Sequence, residues 1–161
     1  MGQMLPVITR LKAELTALDR ELTVDLPRQI EEARAHGDLS ENAEYDAAKE
    51  RQGILQARVS RLQARIRELS LYNTASISRD QIGYGSRVVL EDLDTGDEVV
   101  YSLVFPEETD PDRGMVSLQS PIGQALLKRG TGDEVTVHTP SGKRSYVVVS
   151  LETFHDLSED T

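Results

Sequence analysis

The first half of the chain carries hydrophobic residues at helical spacing. In the first run the steps alternate between three and four, as in the seam of a coiled coil, at Ile8, Leu11, Leu15, Leu18 and Leu22. The seam continues at Leu26, Ile30 and Ala33, where an extra residue enters as a stutter, which locally unwinds a supercoil. Pro27 stands at the same place and cannot donate a helical hydrogen bond. The pattern therefore predicts a bend near residues 24–27, with the helix continuing beyond it.

A second run repeats this spacing further along the chain. Its apolar positions are Leu55, Val59, Leu62, Ile66 and Leu69, and the seam reaches back through Gln52, Ala48 and Tyr45. Only a few non-periodic residues, near 37–40, separate the two runs, and so short a connection forces the helices to run antiparallel. Arms of about 30 residues would each extend roughly 45 Å. The sequence thus predicts a long helical hairpin.

Arginines flank the second seam. Arg51, Arg58 and Arg65 recur every seven residues. One interpretation pairs them with Glu14 and Glu21 at the equivalent positions of the first arm, and we favour it for Arg58 and Arg65. Exposed pairs of this kind contribute only about 0–1 kcal/mol each. The alternative is a basic stripe that faces nucleic acid.

The hydrophobic period changes in the second half. Five segments are rich in strand-forming residues: 87–90, 98–104, 115–118, 135–138 and 146–151. Turn residues join the first two strands at 94–97 and the last two at 140–143. Ser120 is placed to cap a short helix over 121–128, with Pro121 at its first position. We therefore predict an α+β protein, with a helical hairpin at 1–75, a linker at 76–82 and a small sheet domain with one helix at 83–161. Residues 154–161 are rich in acidic side chains and are predicted to form a C-terminal tail.

Composition narrows the function classes. The chain has 161 residues, no cysteine and only 4% aromatic residues, so two modest cores fit better than one large core. No run of about 18 apolar residues and no secretory signal is visible, and we expect a cytoplasmic protein without a membrane partner. Residues 1–80 hold 12 basic and 13 acidic side chains, and residues 81–161 hold 6 and 15. Because nucleic-acid binders usually have a basic excess, any contact with nucleic acid is expected to need another protein.

Two acids stand between the hairpin arms. Asp38 and Glu41 are three residues apart at the start of the second helix, and their structural interpretation is a capping box, with Gly37 ending the first arm. The functional interpretation uses the same spacing, because carboxylates at i and i+3 can both reach one Mg²⁺ ion. Such a pair would bind Mg²⁺ weakly alone and could complete a site to which another protein supplies the remaining ligands. Glu44 extends this acidic face, or is a solvated partner of Lys49.

At this segment the chain resembles the Gre transcript cleavage factors of bacterial RNA polymerase, of the GreA type. The residues that carry the resemblance are Ala33, Arg34, His36, Gly37, Asp38, Leu39, Glu41, Asn42, Ala43, Glu44, Tyr45, Ala47, Ala48 and Glu50. A second matching group comprises 120–127, 132–135 and 139–140. The resemblance extends over nearly the whole chain.

The resemblance implies a function. The coiled coil would enter the secondary channel of a backtracked polymerase, and an FKBP-like C-terminal domain would dock near its rim, through Ser120, Pro121 and Ile122. Asp38 and Glu41 match the catalytic acids, which help to hold a second Mg²⁺ ion and to position the attacking water while the polymerase's own acids hold the first ion. The factor would have no cofactor and no enzymatic activity of its own. It would stimulate cleavage of the RNA 3′ end by the polymerase and so rescue arrested complexes.

The resemblance also assigns supporting residues. Lys49 matches the basic contact to the transcript end, with Arg34 as its neighbour. The residues that support the tip are Gly37, Ser40, Asn42, Glu44 and Tyr45. Ser40 departs from the family, which often has lysine there, so the tip is more negative. The expected partners are bacterial RNA polymerase and the nascent RNA 3′ end, and the factor is expected to be a monomer.

Alternative functions remain open at this point. A non-catalytic channel-binding regulator would use the same hairpin and inhibit the polymerase, although the presence of both Asp38 and Glu41 argues against it. The FKBP-like fold also suggests peptidyl-prolyl isomerase activity as a possible function. In that case the five aromatic residues of the second half would line the substrate pocket. We favour a core role for those residues: Tyr84, Tyr101, Phe105, Tyr146 and Phe154. His36 is interpreted as a helix-end residue and not a metal ligand, and His138 as a strand surface residue.

Overall fold

The computed structural model describes residues 5–35 and 43–159 and divides the chain into two compact units. These units are Met1–Asn73, whose described residues are mainly helical, and Thr74–Thr161, whose described residues include a β-sheet. The predicted α+β architecture, a helical hairpin followed by a small sheet domain, is confirmed. Among the described helices, none is long and apolar enough to cross a membrane.

The first unit is built from two long helical arms. The first arm comprises α1 (Pro6–Arg20), a π-helical turn (Glu21–Asp25) and α2 (Leu26–Ala35), and the second arm is α3 (Ala43–Ser70). The predicted seam is half-buried at Leu15, Leu18, Leu22 and Ile30 of the first arm. It is buried at Ile8, Leu11, Leu26, Ala33, Ala48, Leu55, Val59, Leu62, Ile66 and Leu69. Burial of one apolar stripe on each arm is the main stabilisation of such a helix pair.

Two ion pairs between the arms show that the arms run antiparallel. Glu14 pairs with Arg58, and Glu21, seven residues further along the first arm, pairs with Arg51, seven residues earlier on the second. The cross-arm partner predicted for Arg58 is therefore confirmed.

Arg65 behaves differently from Arg58. It forms an ion pair with Glu68, three residues further along the same helix, at 3.2 Å. This partner lies on its own helix, and the cross-arm pair of Arg65 stays a prediction. Residues i and i+3 of a helix are close neighbours whatever the partner arm does, so a local carboxylate competes well.

The stutter is accommodated by a π-helical turn. The Leu26 N–H donates to the Glu21 carbonyl, five residues earlier, where an α-helix would bond four residues back. One wider turn takes up the one extra residue of the seam, and a π-turn is itself a locally unwound stretch of helix. Pro27 follows directly and the helix continues through it, as predicted.

Gly53 lies within helix α3 at a position with open space for a methyl side chain. It is exposed, and a Cβ built there would have no heavy atom within 4 Å. Gly53→Ala should therefore stabilise the hairpin by about 0.5–1 kcal/mol, because alanine loses less backbone entropy in a helix. Urea unfolding followed by circular dichroism measures this. The control is Gly96→Ala, which is equally open but has φ +77° and should destabilise; equal effects of the two changes would contradict the prediction.

The second unit contains one mixed five-stranded sheet. Its strands are β1 (Arg87–Asp92), β2 (Glu98–Val104), β3 (Met115–Ser117), β4 (Glu134–Thr139) and β5 (Gly142–Glu152). Their order across the sheet is β3-β2-β1-β5-β4, and only the β2–β3 pair is parallel. All five predicted strands are present. Helix α4 (Pro121–Leu126) contributes Leu126 to the core of the sheet, as expected for the FKBP-like domain.

Helix α4 ends earlier than predicted. The expected end was Lys128, but the helix stops at Leu126, and Lys128 has a left-handed φ of +69°. The chain turns there because the Lys128 N–H donates to the Ile82 carbonyl, while the Ile82 N–H donates to Arg129. Ile82 is itself fully buried in the sheet core. The segment 76–82, predicted to be a linker, thus contributes a core residue to the sheet unit.

The C-terminal segment is a helix where an acidic tail was expected. Helix α5 spans Phe154–Glu159, so the prediction is wrong for these residues. The Thr153 N–H donates to the Asp156 carboxylate at 2.9 Å, and the Asp156 N–H lies 3.3 Å from the Thr153 hydroxyl oxygen. This reciprocal capping box begins the helix. It was visible in the sequence as Thr153 followed three residues later by Asp156.

Aromatic side chains pack inside the sheet unit. The rings of Tyr84 and Phe105 stack with centroids 4.3 Å apart, and Phe154 lies 6.1 Å from Tyr84. Tyr84, Phe105 and Tyr146 are buried, and Tyr101 packs partly buried against the core. The core interpretation is confirmed for these residues.

Asp92 is a buried carboxylate that makes the sheet unit sensitive to acid. The Asp94 N–H donates to it at 2.8 Å and, against the opposing effect of burial, lowers its pKa below the ordinary 3.8. The Thr95 N–H and the Arg144 guanidinium lower the pKa further, at 3.2 Å and 3.0 Å. With a pKa lowered by folding, the ionised carboxylate stabilises the fold above pH 3.8, and this stabilisation is lost as the pH falls below that value.

Asp92→Asn should therefore lower the urea midpoint of unfolding at neutral pH. The difference from wild type should shrink as the pH falls below 3.8, because the native carboxyl is then progressively protonated as well. Asp94→Asn, at the neighbouring exposed position, is the control and should change little at either pH. If the difference in urea midpoint between the variant and the wild type stayed constant with pH, the charge of Asp92 would not contribute to the stability of the fold.

Candidate functional site

The predicted catalytic acids lie in the connection between the arms. His36, Gly37, Asp38, Ser40, Glu41 and Asn42 all fall outside the described residues. Their capping and Mg²⁺-binding interpretations therefore stay predictions. The described arms end on either side of this segment, α2 at Ala35 and α3 beginning at Ala43.

Residues from both arms surround this connection. Arg34 lies in the last turn of α2 and is exposed, and Glu44 lies in the first turn of α3 and is also exposed. Each charge is favourable at its helix end, because a helix C-terminus attracts cations and an N-terminus attracts anions. Tyr45 is half-buried on the seam, as its position in the pattern predicted.

Lys49 presents its ammonium group to solvent on α3. Its Nζ atom donates to the Gln52 Oε1 atom at 3.1 Å, within the same helix. This hydrogen bond joins the ammonium group to a neutral amide. A phosphate could therefore replace the Gln52 amide as the acceptor. The predicted basic residues Lys49 and Arg34 are thus both exposed, one on each arm.

A groove of about 590 Å³ runs between the arms close to this end of the hairpin. It is lined by Gln29, Glu32, Ala33, Glu44, Ala47, Ala48 and Arg51. The alanines leave it open because their side chains cannot fill the space between the helices. The hydrophobic pattern of the sequence did not predict this groove.

The described residues were also examined for clusters of metal ligands. Within residues 5–35 and 43–159 no group of three or more His, Cys, Asp or Glu side chains could hold a metal ion. His138 is exposed on β4, as predicted.

The residues predicted to dock on the polymerase begin helix α4. The Ser120 Oγ atom accepts from the Gly123 N–H at 3.1 Å and donates to the Ser117 carbonyl at 2.6 Å, so the predicted N-cap is confirmed. Pro121 occupies the first helical position and is exposed, while Ile122 packs partly buried against the sheet core. Of the three side chains, Pro121 is thus the one most available to a partner.

Comparison with known proteins identifies the family. The family model described as "Transcription elongation factor, N-terminal" matches residues 7–70, and the model "Transcription elongation factor, GreA/GreB, C-term" matches residues 77–153. The chain is 44% identical over 144 residues to transcription elongation factor GreA of Desulfotalea psychrophila, covering 89% of each chain. It is 42% identical over 142 residues to GreA of Maridesulfovibrio salexigens, covering 88% of each.

Among solved structures, a crystal structure of GreA factor homolog 1 (Gfh1) of Thermus thermophilus is 29% identical to the chain. The match covers 90% of this chain and 94% of that one, with a TM-score of 0.42. The two family models together account for both structural units, and the resemblance noted in the sequence is confirmed. The chain belongs to the GreA/GreB family of transcription elongation factors.

Proposed function

We propose that this chain binds bacterial RNA polymerase and stimulates Mg²⁺-dependent cleavage of the RNA 3′ end in backtracked complexes. The observation that carries the proposal is the antiparallel hairpin, whose two arms are joined by the segment that contains Asp38 and Glu41. An ordinary turn does not require arms of this length, whereas a factor that must reach into a channel does. The hairpin would enter the secondary channel of the polymerase, where the backtracked RNA 3′ end lies.

The proposed role of the acids follows from their ligand chemistry. Carboxylate oxygens suit Mg²⁺, and Asp38 and Glu41 would supply two of the several oxygens that this ion requires. Because two ligands make a weak site, activity would appear only in the complex, and the chain alone would not be an enzyme. Bound there, Mg²⁺ would supply charge stabilisation for hydrolysis of a phosphodiester.

The basic side chains have a complementary proposed role. Lys49 and Arg34 are both exposed near the connection, and each could contact a phosphate of the nascent RNA. Such contacts would orient the transcript end beside the acids. The strongly acidic second half would not bind nucleic acid, which is consistent with docking on protein through Pro121 and its neighbours.

The direct test mixes the purified chain with backtracked elongation complexes and Mg²⁺. We expect release of short RNA fragments from the 3′ end and resumed elongation, at rates above those of polymerase alone. Measuring nucleotide addition in the same samples separates cleavage from simple blocking of the channel. Slower addition without released fragments would replace the proposal with an inhibitory role, and no effect on either would refute both.

A further inference from the structure

The ion pair between Glu21 and Arg51 differs from the other cross-arm pair. The Arg51 Nε and Nη2 atoms donate to separate Glu21 oxygens, at 3.3 Å and 3.4 Å. Arg58 instead places both of its donors on one oxygen of Glu14, at 3.2 Å and 2.6 Å. The fork-to-fork arrangement of Glu21 and Arg51 fixes the relative orientation of two planar groups as well as their distance.

The Glu21–Arg51 pair stands where the packing between the arms changes. On the side away from the connection, the second-arm seam is made of buried leucine, isoleucine and valine. On the other side it passes through Gln52, Ala48 and Tyr45, beside the groove of about 590 Å³ that Arg51 lines. A small buried cluster of Leu26, Ala48 and Leu55 packs the arms at the level of the pair, and the groove that Arg51 lines separates them towards the connection. A polar contact at the edge of this groove can therefore influence the relative position of the arms there.

The first arm also departs from regular α-helix geometry at this point. Glu21 is the first residue of the π-helical turn, and its carbonyl accepts the i+5 bond from Leu26. Pro27 removes a further backbone donor immediately afterwards. A π-turn followed by proline is a place where a helix can change direction at low cost.

We propose that Glu21 and Arg51 are positioning residues, which hold the two arms in register across the π-turn and thereby position the connection that carries Asp38 and Glu41. This inference rests on the proposed cleavage function. Neither residue touches the reacting atoms in this role. Arg51 acts through Glu21 on the first arm and not through contact with RNA, in contrast to the basic-stripe interpretation.

The test compares Arg51→Gln with the double charge reversal Glu21→Arg/Arg51→Glu. Arg51→Gln should lower the maximal cleavage rate about three- to fivefold, the limit that an exposed ion pair allows, with the half-saturating factor concentration nearly unchanged. The reversal restores the pair with opposite polarity and should recover most of the rate. Arg58→Gln, which removes the equivalent ion pair seven residues further from the connection, is the matched control and should have a smaller effect than Arg51→Gln.

Hydrogen exchange of the free protein provides a readout independent of cleavage. In Arg51→Gln, backbone amides of 28–35 and 44–50 should exchange about three- to fivefold faster, whereas those of 55–69 should not change. Failure of the reversal to restore the rate, or equal effects of Arg51→Gln and Arg58→Gln, would overturn the proposal. If the wild type released no fragments, the proposed function would fail, and the exchange data alone would decide whether the pair holds the arms.

Discussion

The double variant Asp38→Asn/Glu41→Gln should lose about a hundredfold or more of its transcript cleavage activity while it binds the polymerase almost normally. Removing both negative charges removes the proposed Mg²⁺ ligands, and loss of one well-placed electrostatic group commonly costs about 10²–10³ in rate. Asparagine caps a helix about as well as aspartate, so the start of the second arm should be preserved. The measurement is fragment release at saturating factor, together with the concentration that gives half-maximal binding.

Glu44→Gln is the control for this result. Glu44 is an exposed acid in the first turn of α3, close in sequence to Glu41, and the resemblance assigns it only a supporting role. Its neutralisation should reduce cleavage far less than the double change. Wild-type rates from the double variant would show that the acids act neither as ligands nor in positioning water. A loss caused by weaker binding alone would assign them to recognition of the polymerase.

Gly123→Ala should destabilise the sheet unit by about 3 kcal/mol, the upper part of the range for overpacked sites. A Cβ at this position would lie 2.1 Å from the Ser117 carbonyl oxygen and 3.0 Å from the Leu118 Cα atom. Both obstacles are backbone atoms, so no side chain can rotate away. Relief requires α4 to move from the chain that follows β3, which would also break the cap between Ser120 and Gly123.

Urea unfolding of the full chain measures this effect, and Gly53→Ala supplies the comparison of opposite sign. The two changes add the same methyl group within helices, but at Gly53 it meets no heavy atom within 4 Å. We also expect Gly123→Ala to weaken polymerase binding, because Pro121 and Ile122 would move with α4. Unchanged stability of Gly123→Ala would show that the packing of α4 adjusts without cost.

The seam of the hairpin was predictable because burial of a single apolar stripe leaves a periodic record in the sequence. The π-turn was not, since a stutter can be absorbed by a change in supercoil or by one wider turn, and the choice depends on backbone energies near Pro27. The ion pair of Arg65 with Glu68 was not predicted, because the heptad spacing points only across to the other arm. Patterns of spacing identify which residues are neighbours but do not rank competing partners.

In the sheet unit, local rules placed the start of α4 correctly but not its end, which lies at Leu126 and not at Lys128. The cap at Ser120 was recognised, whereas the equivalent signal at Thr153 and Asp156 was overlooked because acidic composition suggested a tail. The contribution of Ile82 could not be read from sequence, because its partners at 128 and 129 follow a helix far along the chain. At the candidate site the residue types were recognisable, but the groove depends on how closely the two arms pack.

The antiparallel register limits how the length of such a hairpin can change during evolution. A heptad added to one arm keeps the seam aligned only if the other arm gains one as well, and each such pair of additions extends the hairpin by roughly 10 Å. A single added residue, by contrast, can be absorbed in one arm, as the π-turn at Glu21–Asp25 shows. Length therefore changes in large paired steps, while small unpaired insertions alter the surface of one arm and leave the distance to its end nearly constant.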